Sequence, residues 1–330
     1  MKFSDIYLSI VEQFKTTNRI VPYLEGAPGG GKSALAQAVG EALGFDKVVT
    51  FVASLRDPVD LLGTPRNNGE VTTWVPPDEL YCLREGRNLL ILEEVADNSM
   101  QMQNALCGLM YDRRVNNLHL SDDTYIIATG NRTQDKSGAN RVASKLYGRV
   151  RLYEYVENID DWSQWALDKG LDPILIQFLR FRPNLLSDFN ADRKANPTPR
   201  SWERVNEIPT TLPTSVYFGN VAGDVGEGAA AEYTSFRKTW EKMPNIDGIV
   251  MNPKGSEVPT EPAVLYAVTG ALAHKCSRDN FDRISQYIER IPPEFQVMLM
   301  ADAMKIKPEI KNTKAFSDWC IRNPKIMGIH

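Results

Sequence analysis

Two short stretches hold the residues whose types and spacing could do chemistry. The first is Gly26-Ala27-Pro28-Gly29-Gly30-Gly31-Lys32-Ser33, which fits G-x-x-x-x-G-K-[ST] at every position and runs on through Ala34. Glycines at this density let the backbone curl until its N–H groups converge on a phosphate. A helix beginning at the lysine would add the partial positive charge of its N-terminus. Lys32 would reach the β- and γ-phosphates, and Ser33 would offer its hydroxyl to Mg²⁺. The expected ligand is therefore ATP or ADP with magnesium, held by Gly26 through Ala34. The second stretch, Leu89-Leu90-Ile91-Leu92-Glu93-Glu94, is an apolar run that ends in two carboxylates. At the tip of a neighbouring strand, Glu93 would hold Mg²⁺ through water and Glu94 would polarise the water that attacks the γ-phosphate. Glu93 stands where such sites usually carry Asp, and its longer arm could shift the metal or slow the chemistry.

These residues need elements to position them. Residues 20–25 read as a strand ending at Gly26, with a helix from about Lys32 to Leu43 stopped by Gly44. A helix with apolar period precedes them at 3–16. Further strands are expected at 47–53, 88–92, 124–129 and 149–155, with a helix over 99–113. Strands alternating with helices imply a doubly wound parallel sheet, an α/β P-loop core. Beyond residue 156 only helical periodicity and proline breaks remain: 159–169, 172–181, 199–208, 214–222, 227–241, 261–275, 279–290, 293–306 and 309–322. A loop over 244–260, with Pro253, Gly255 and Pro259, marks a second boundary. Three regions follow: 1–155 for the α/β nucleotide-binding core, 156–245 for a helical lid and 246–330 for a helical extension. Gly223–Gly228 matches no phosphate-binding spacing and reads as a turn feeding a helix from Ala229.

The order of the remaining motifs resembles the AAA+ ATPases, and within them the MoxR-type branch. Asn98–Val115 (NSMQMQNALCGLMYDRRV) looks like that branch's helix, whose Gln-Asn-Ala-Leu stretch leads to a short hairpin. Asp60-Leu61-Leu62-Gly63 followed by Gly69–Trp74 looks like its Asp-Leu-x-Gly segment and hairpin insert. Ala128-Thr129-Gly130-Asn131 resembles the sensor-1 strand, which implies that the Asn131 amide meets the attacking water or the γ-phosphate. Lys145-Leu146-Tyr147-Gly148-Arg149 resembles the segment carrying the arginine finger. Gly148-Arg149-Val150 replaces the usual Asp-Arg-Phe there, so Arg151 and Arg141 stand as rivals to Arg149. Thr198-Pro199-Arg200-Ser201-Trp202 resembles the start of a lid helix whose Arg200 would sense the same phosphate. The resemblance spans about residues 1–245; the extension matches no part of that core. It implies a homo-oligomeric ring, most often a hexamer, with the finger acting across the subunit interface. It also implies a remodelled protein substrate, with proteins carrying a von Willebrand factor A domain as the class it suggests.

Composition sets limits on other functions. Net charge is −4, so no global basic field draws the chain to nucleic acid. The run Arg132, Lys136, Arg141, Lys145, Arg149 and Arg151 falls where a subunit interface is expected, which favours a neighbour's triphosphate over DNA. Four dispersed cysteines and three histidines argue against zinc and for a reducing compartment. With no signal-type segment and no long apolar run, a cytoplasmic protein is expected. The competing functions are a DNA-directed motor or loader, and a nucleotide-dependent scaffold with weak hydrolysis.

Overall fold

The computed structural model describes residues 1–132, 135, 144–241 and 243–323. The chain opens with α1 (Phe3–Thr16), β1 (Val21–Gly26), α2 (Lys32–Leu43) and β2 (Lys47–Val52). α3 (Pro58–Leu62), a hairpin of β3 (Thr64–Asn67) and β4 (Thr72–Val75), and α4 (Asp78–Tyr81) follow. β5 (Asn88–Glu93) leads to α5 (Met100–Asp112) and a second hairpin of β6 (Arg114–Val115) and β7 (Leu118–His119). β8 (Thr124–Asn131), α6 (Ser144–Tyr147) and β9 (Val150–Glu154) complete the α/β part.

β1, β2, β5, β8 and β9 form one parallel sheet in the order β2-β5-β8-β1-β9. Its three central strands are nearly continuous apolar runs because both faces are covered. The two-residue alternation of strands divides them. Leu24, Leu89, Ile91 and Ile127 pack with Ile6, Ile10 and Phe14 of α1 and Leu35 and Val39 of α2. Tyr23, Leu90, Leu92, Ile126 and Ala128 face the other way, against Met102, Leu106 and Leu109 of α5. Local chemistry sets the helix ends. Gly44 takes φ 60°, closed to most side chains, and donates its N–H to Gly40 O, stopping α2. Ser99 Oγ accepts from Met102 N at 3.3 Å and starts α5.

The register brings the candidate site residues together at one edge of the sheet. Gly26 at the tip of β1 lies opposite Asn131 at the tip of β8. Glu93 at the tip of β5 lies opposite Val52, one residue past the Leu92–Ala128 pairing. This is the carboxyl edge, where ligands of open α/β sheets bind.

The rest of the chain is helical: α7 (Ile159–Lys169), α8 (Pro173–Phe181), α9 (Pro199–Asn206), α10 (Thr214–Val225) and α11 (Glu227–Glu241), then α12 (Ile246–Met251), α13 (Pro262–Lys275), α14 (Phe281–Ile288), α15 (Pro293–Ile306) and α16 (Lys314–Arg322). The chain divides into two compact units. One comprises Met1–Asp161 with Phe189–Lys194 and Thr198–Arg200; the other comprises Trp162–Asp188, Ala195–Pro197 and the residues from Ser201 onward. In the second unit, Phe178, Trp202, Tyr233 and Phe236 pack ring against ring. Asp302 is buried there and receives both guanidinium nitrogens of Arg180.

Three details differ from the sequence reading. The expected loop 244–260 contains α12, whose N-cap Asn245 side chain accepts from Gly248 N at 3.1 Å. The turn sought at Gly223–Gly228 contracts to Gly226, at φ 83°; α10 runs through Val225 and α11 starts at Glu227. The last helix begins at Lys314, after a 3-10 turn at Pro308–Asn312. Among the described residues no helix is long and apolar enough to cross a membrane, and all four cysteines are free.

Candidate functional site

The loop from Gly26 to Gly31 joins the tip of β1 to α2. Gly29 and Gly31 take φ values of 72° and 105°, in the left-handed region that favours glycine. Lys32 opens α2 and is buried. Its ammonium donates to Gly26 O at 2.9 Å, Ala27 O at 2.8 Å and Asn131 Oδ1 at 3.0 Å. All three acceptors are uncharged oxygens, so none of these contacts supplies a counter-charge. Burial pushes the lysine down to about 8, with the charge of Glu157 the largest influence opposing it. A buried cation bonded only to neutral oxygens, at a helix N-terminus, fits a polyphosphate anion.

Tyr155, just past β9, braces the loop from outside. Its N–H donates to Glu25 O at 2.7 Å, and its hydroxyl donates to Gly30 O at 2.8 Å. Glu157 follows, with Oε1 buried and without a hydrogen-bond partner. A Cβ on Gly30 would lie 2.0 Å from that oxygen, so the carboxylate fills the space a side chain would need. Thr198 and Arg200 approach from the other direction. Arg200 N donates to Gly29 O at 3.3 Å, and a Cβ on Gly29 would lie 3.0 Å from Thr198 Oγ1.

At the tip of β5, Glu94 adopts φ 57° and ψ 39°, a left-handed conformation that costs a non-glycine residue about 1 kcal/mol or more and clusters at functional sites. Neighbours hold it there. Ser54, beyond β2, donates its hydroxyl to Glu94 Oε2. Asn98 Nδ2 donates to Glu94 O at 2.7 Å, and Glu94 N donates to Thr129 Oγ1 at 3.4 Å. Asn131 is buried between charges: Oδ1 accepts from Lys32 at 3.0 Å, and Nδ2 donates to Asp97 Oδ2 at 2.7 Å. Burial raises the Asp97 carboxyl, and the bond from Asn131 opposes that rise. Gly130 must be glycine here, because its Cβ would lie 1.9 Å from the Tyr23 hydroxyl.

The site residues read from the sequence therefore share the carboxyl edge: Gly26–Ser33 with Ala34, Glu93, Glu94, Asn131 and the backbone of Arg200. Ser33 and Glu93 present hard oxygen donors, the kind magnesium takes alongside water and phosphate oxygens. Arg149 is exposed, with its guanidinium 5.0 Å from the ring centre of Tyr111. Arg151 instead donates to Gln13 Oε1 on α1 at 2.8 Å. Arg141 and Lys136 lie outside the described residues. Sequence reasoning missed Ser54, Asp97, Tyr155 and Glu157 as neighbours of the site; Thr198 lies in the segment already quoted for Arg200. Tyr155 was within reach: the β1–β9 register pairs Glu25 with Glu154, which sets Tyr155 beside Gly26 once the strand order is known.

Comparison with known proteins covers the same segment. Residues 23–150 match the family model described as AAA domain (dynein-related subfamily). Midasin of Giardia intestinalis is 31% identical over 154 residues, which is 44% of this chain and 3% of midasin. The chain thus aligns with only a small fraction of that relative's length. Among solved structures, the RuvB Holliday junction branch migration motor of Thermotoga maritima aligns with 82% of this chain and 80% of its own, at 12% identity and a TM-score of 0.40. NtrX of Brucella abortus in complex with ADP aligns with 98% of this chain and 68% of its own, at 14% identity and a TM-score of 0.40. The matched segment holds the glycine loop, the acidic tip of β5 and Asn131, on a five-stranded parallel sheet. Residues 23–150 thus match the AAA family model and lie on the parallel sheet of an AAA+ P-loop fold.

Proposed function

We propose that this chain is a MoxR-type AAA+ ATPase that hydrolyses ATP within a homo-oligomeric ring, a hexamer, to remodel or activate a protein partner. The observation that carries the ATPase reading is Lys32. Its buried ammonium, bonded to three neutral oxygens, would exchange them for β- and γ-phosphate oxygens while the amides of Gly29–Ser33 and Ala34 wrap the phosphates. Magnesium, held by Ser33 and through water by Glu93, would neutralise charge on the phosphates. Glu94, fixed by Ser54, would orient the attacking water and take its proton.

The arginines fit the remaining roles. Arg200 occupies the second position of α9, where the helix dipole disfavours a cation. A negatively charged neighbour such as a γ-phosphate would offset that cost, consistent with a lid sensor. Arg149 is displayed on the surface, as a finger reaching a neighbour's triphosphate must be, while Arg151 is committed to α1. We assign residues 156–245 to the lid and 246–330 to the extension. A von Willebrand factor A domain protein is the partner class the MoxR resemblance suggests, and the cytoplasm the compartment.

The test is steady-state ATP hydrolysis by the wild type and by Glu94→Gln. The variant should bind ATP as tightly as the wild type yet turn it over roughly 100-fold more slowly or worse, in line with the loss of a general base. Turnover unchanged by the substitution would remove Glu94 from the mechanism. Hydrolysis that requires DNA and falls steeply with salt would replace the remodeller by a motor.

A further inference from the structure

Asn131 is held between two charges of opposite sign, and that settles which way its amide points. Lys32 Nζ can only donate, and an ionised Asp97 can only accept. The carbonyl oxygen of Asn131 must therefore face Lys32, and its NH₂ must face Asp97. The distances agree, 3.0 Å from Lys32 Nζ to Oδ1 and 2.7 Å from Nδ2 to Asp97 Oδ2. The other oxygen of Asp97, Oδ1, is buried without a hydrogen-bond partner. An unpartnered carboxylate oxygen is a cost that a purely structural contact would avoid. Asp97 is also fixed in place: it closes the 3-10 turn Val95–Asp97, and its N–H donates to Glu94 O at 3.1 Å. Carboxylate and catalytic glutamate thus belong to one short turn.

We propose that Asp97 is a positioning residue that fixes the amide of Asn131 with its carbonyl oxygen toward the nucleotide. Asn131 then serves hydrolysis as a hydrogen-bond acceptor for the attacking water, not as a donor to the γ-phosphate. The inference rests on the ATPase reading above. While Lys32 bonds Oδ1, that oxygen is engaged. When the lysine moves to the phosphates, Oδ1 is left facing the same space with no N–H to offer, because Asp97 holds the NH₂. A water bonded to that oxygen and to Glu94 is held by two acceptors, which aims one of its lone pairs away from both. The groups around Asp97 are Asn131 on β8, Glu94 on its own turn, Lys32 on α2 and Tyr23 on β1.

The test uses single variants and their exchange. Asp97→Asn preserves shape but lets the Asn131 amide turn either way. Its kcat should fall roughly tenfold or more, as loss of alignment at a reacting centre does, while its affinity for a fluorescent ATP analogue stays within about twofold of wild type. The exchange Asp97→Asn with Asn131→Asp places an acceptor at position 131 again, steadied by an amide at 97. Its kcat should exceed that of either single variant. A donor role for Asn131 predicts the opposite, an exchange as inactive as Asn131→Ala, because no N–H faces the phosphate at 131. That result overturns the proposal, as does full activity in Asp97→Asn. Absence of hydrolysis in the wild type would instead sink the ATPase reading itself, so the two failures are distinguishable. Thermal melts of each variant show whether a lost rate reflects a lost fold.

Discussion

At the scale of single residues, the glycine loop and the acidic strand tip were legible because their chemistry demands fixed types at fixed spacing. The residues that tune them were not, because they arrive from distant parts of the chain with no spacing rule. Glu157 is the clearest case. It looks like an ordinary polar residue after a strand, yet its carboxylate occupies the space beside Gly30 and is the largest charge favouring protonation of Lys32. A negative charge beside the proposed phosphate loop should oppose a triphosphate. We expect Glu157→Gln to tighten ATP binding by about 1 kcal/mol, roughly fivefold, from the removal of one screened charge several ångströms away. Displacement titration with a fluorescent analogue measures it. Weaker binding in the variant would mean that the carboxylate contacts the nucleotide favourably.

At the scale of elements, most long periodic helices and buried strands were read to within a residue or two, since burial of one face leaves a pattern; α10 runs three residues past its expected end and α16 starts five residues after its expected start. Short elements escaped. α3, α4 and α6 are too brief to show a period, and α12 was hidden by the prolines and glycine that follow it. The hairpin of β3 and β4 was expected from resemblance, and its base depends on one backbone position. Gly63 has φ 85° and ψ 177°, and a Cβ there would lie 2.3 Å from Val75 O. Backbone cannot yield as a flexible side chain can. Gly63→Ala should therefore destabilise the protein by about 1–3 kcal/mol, read as a lower melting temperature. Its ATP affinity should be unchanged, because the hairpin lies outside the phosphate loop; a loss of affinity would show that the hairpin shapes the site.

At the scale of the whole molecule, the structure divides into two compact units, the first of which holds the strands of the parallel sheet. Chain order alone could not show that Thr198–Arg200 joins the first unit, because a three-residue excursion leaves no compositional mark. Assembly belongs to this scale too. Arg149 lies on Tyr111 at the surface, so a ring would present it to the adjoining subunit. Arg149→Ala should lose hydrolysis by at least about 10³-fold, the usual effect of removing an arginine finger. Mixing it with Glu94→Gln should restore part of the rate, since some interfaces then pair an intact glutamate with an intact arginine. A mixture no faster than its components would argue against action across an interface.

The three bonds that turn Lys32 inward bear on which solutes the proposed phosphate loop would admit. With its cation folded against carbonyl and amide oxygens, the loop advertises little free positive charge. A lone inorganic anion would have to undo three good contacts for one attraction. A chelated polyphosphate would engage ammonium, backbone amides and hydroxyl together and so offset the exchange. On the proposed reading the lysine would set a threshold for entry, and would favour ligands bringing many points of attachment over simple salts that outnumber them in the medium.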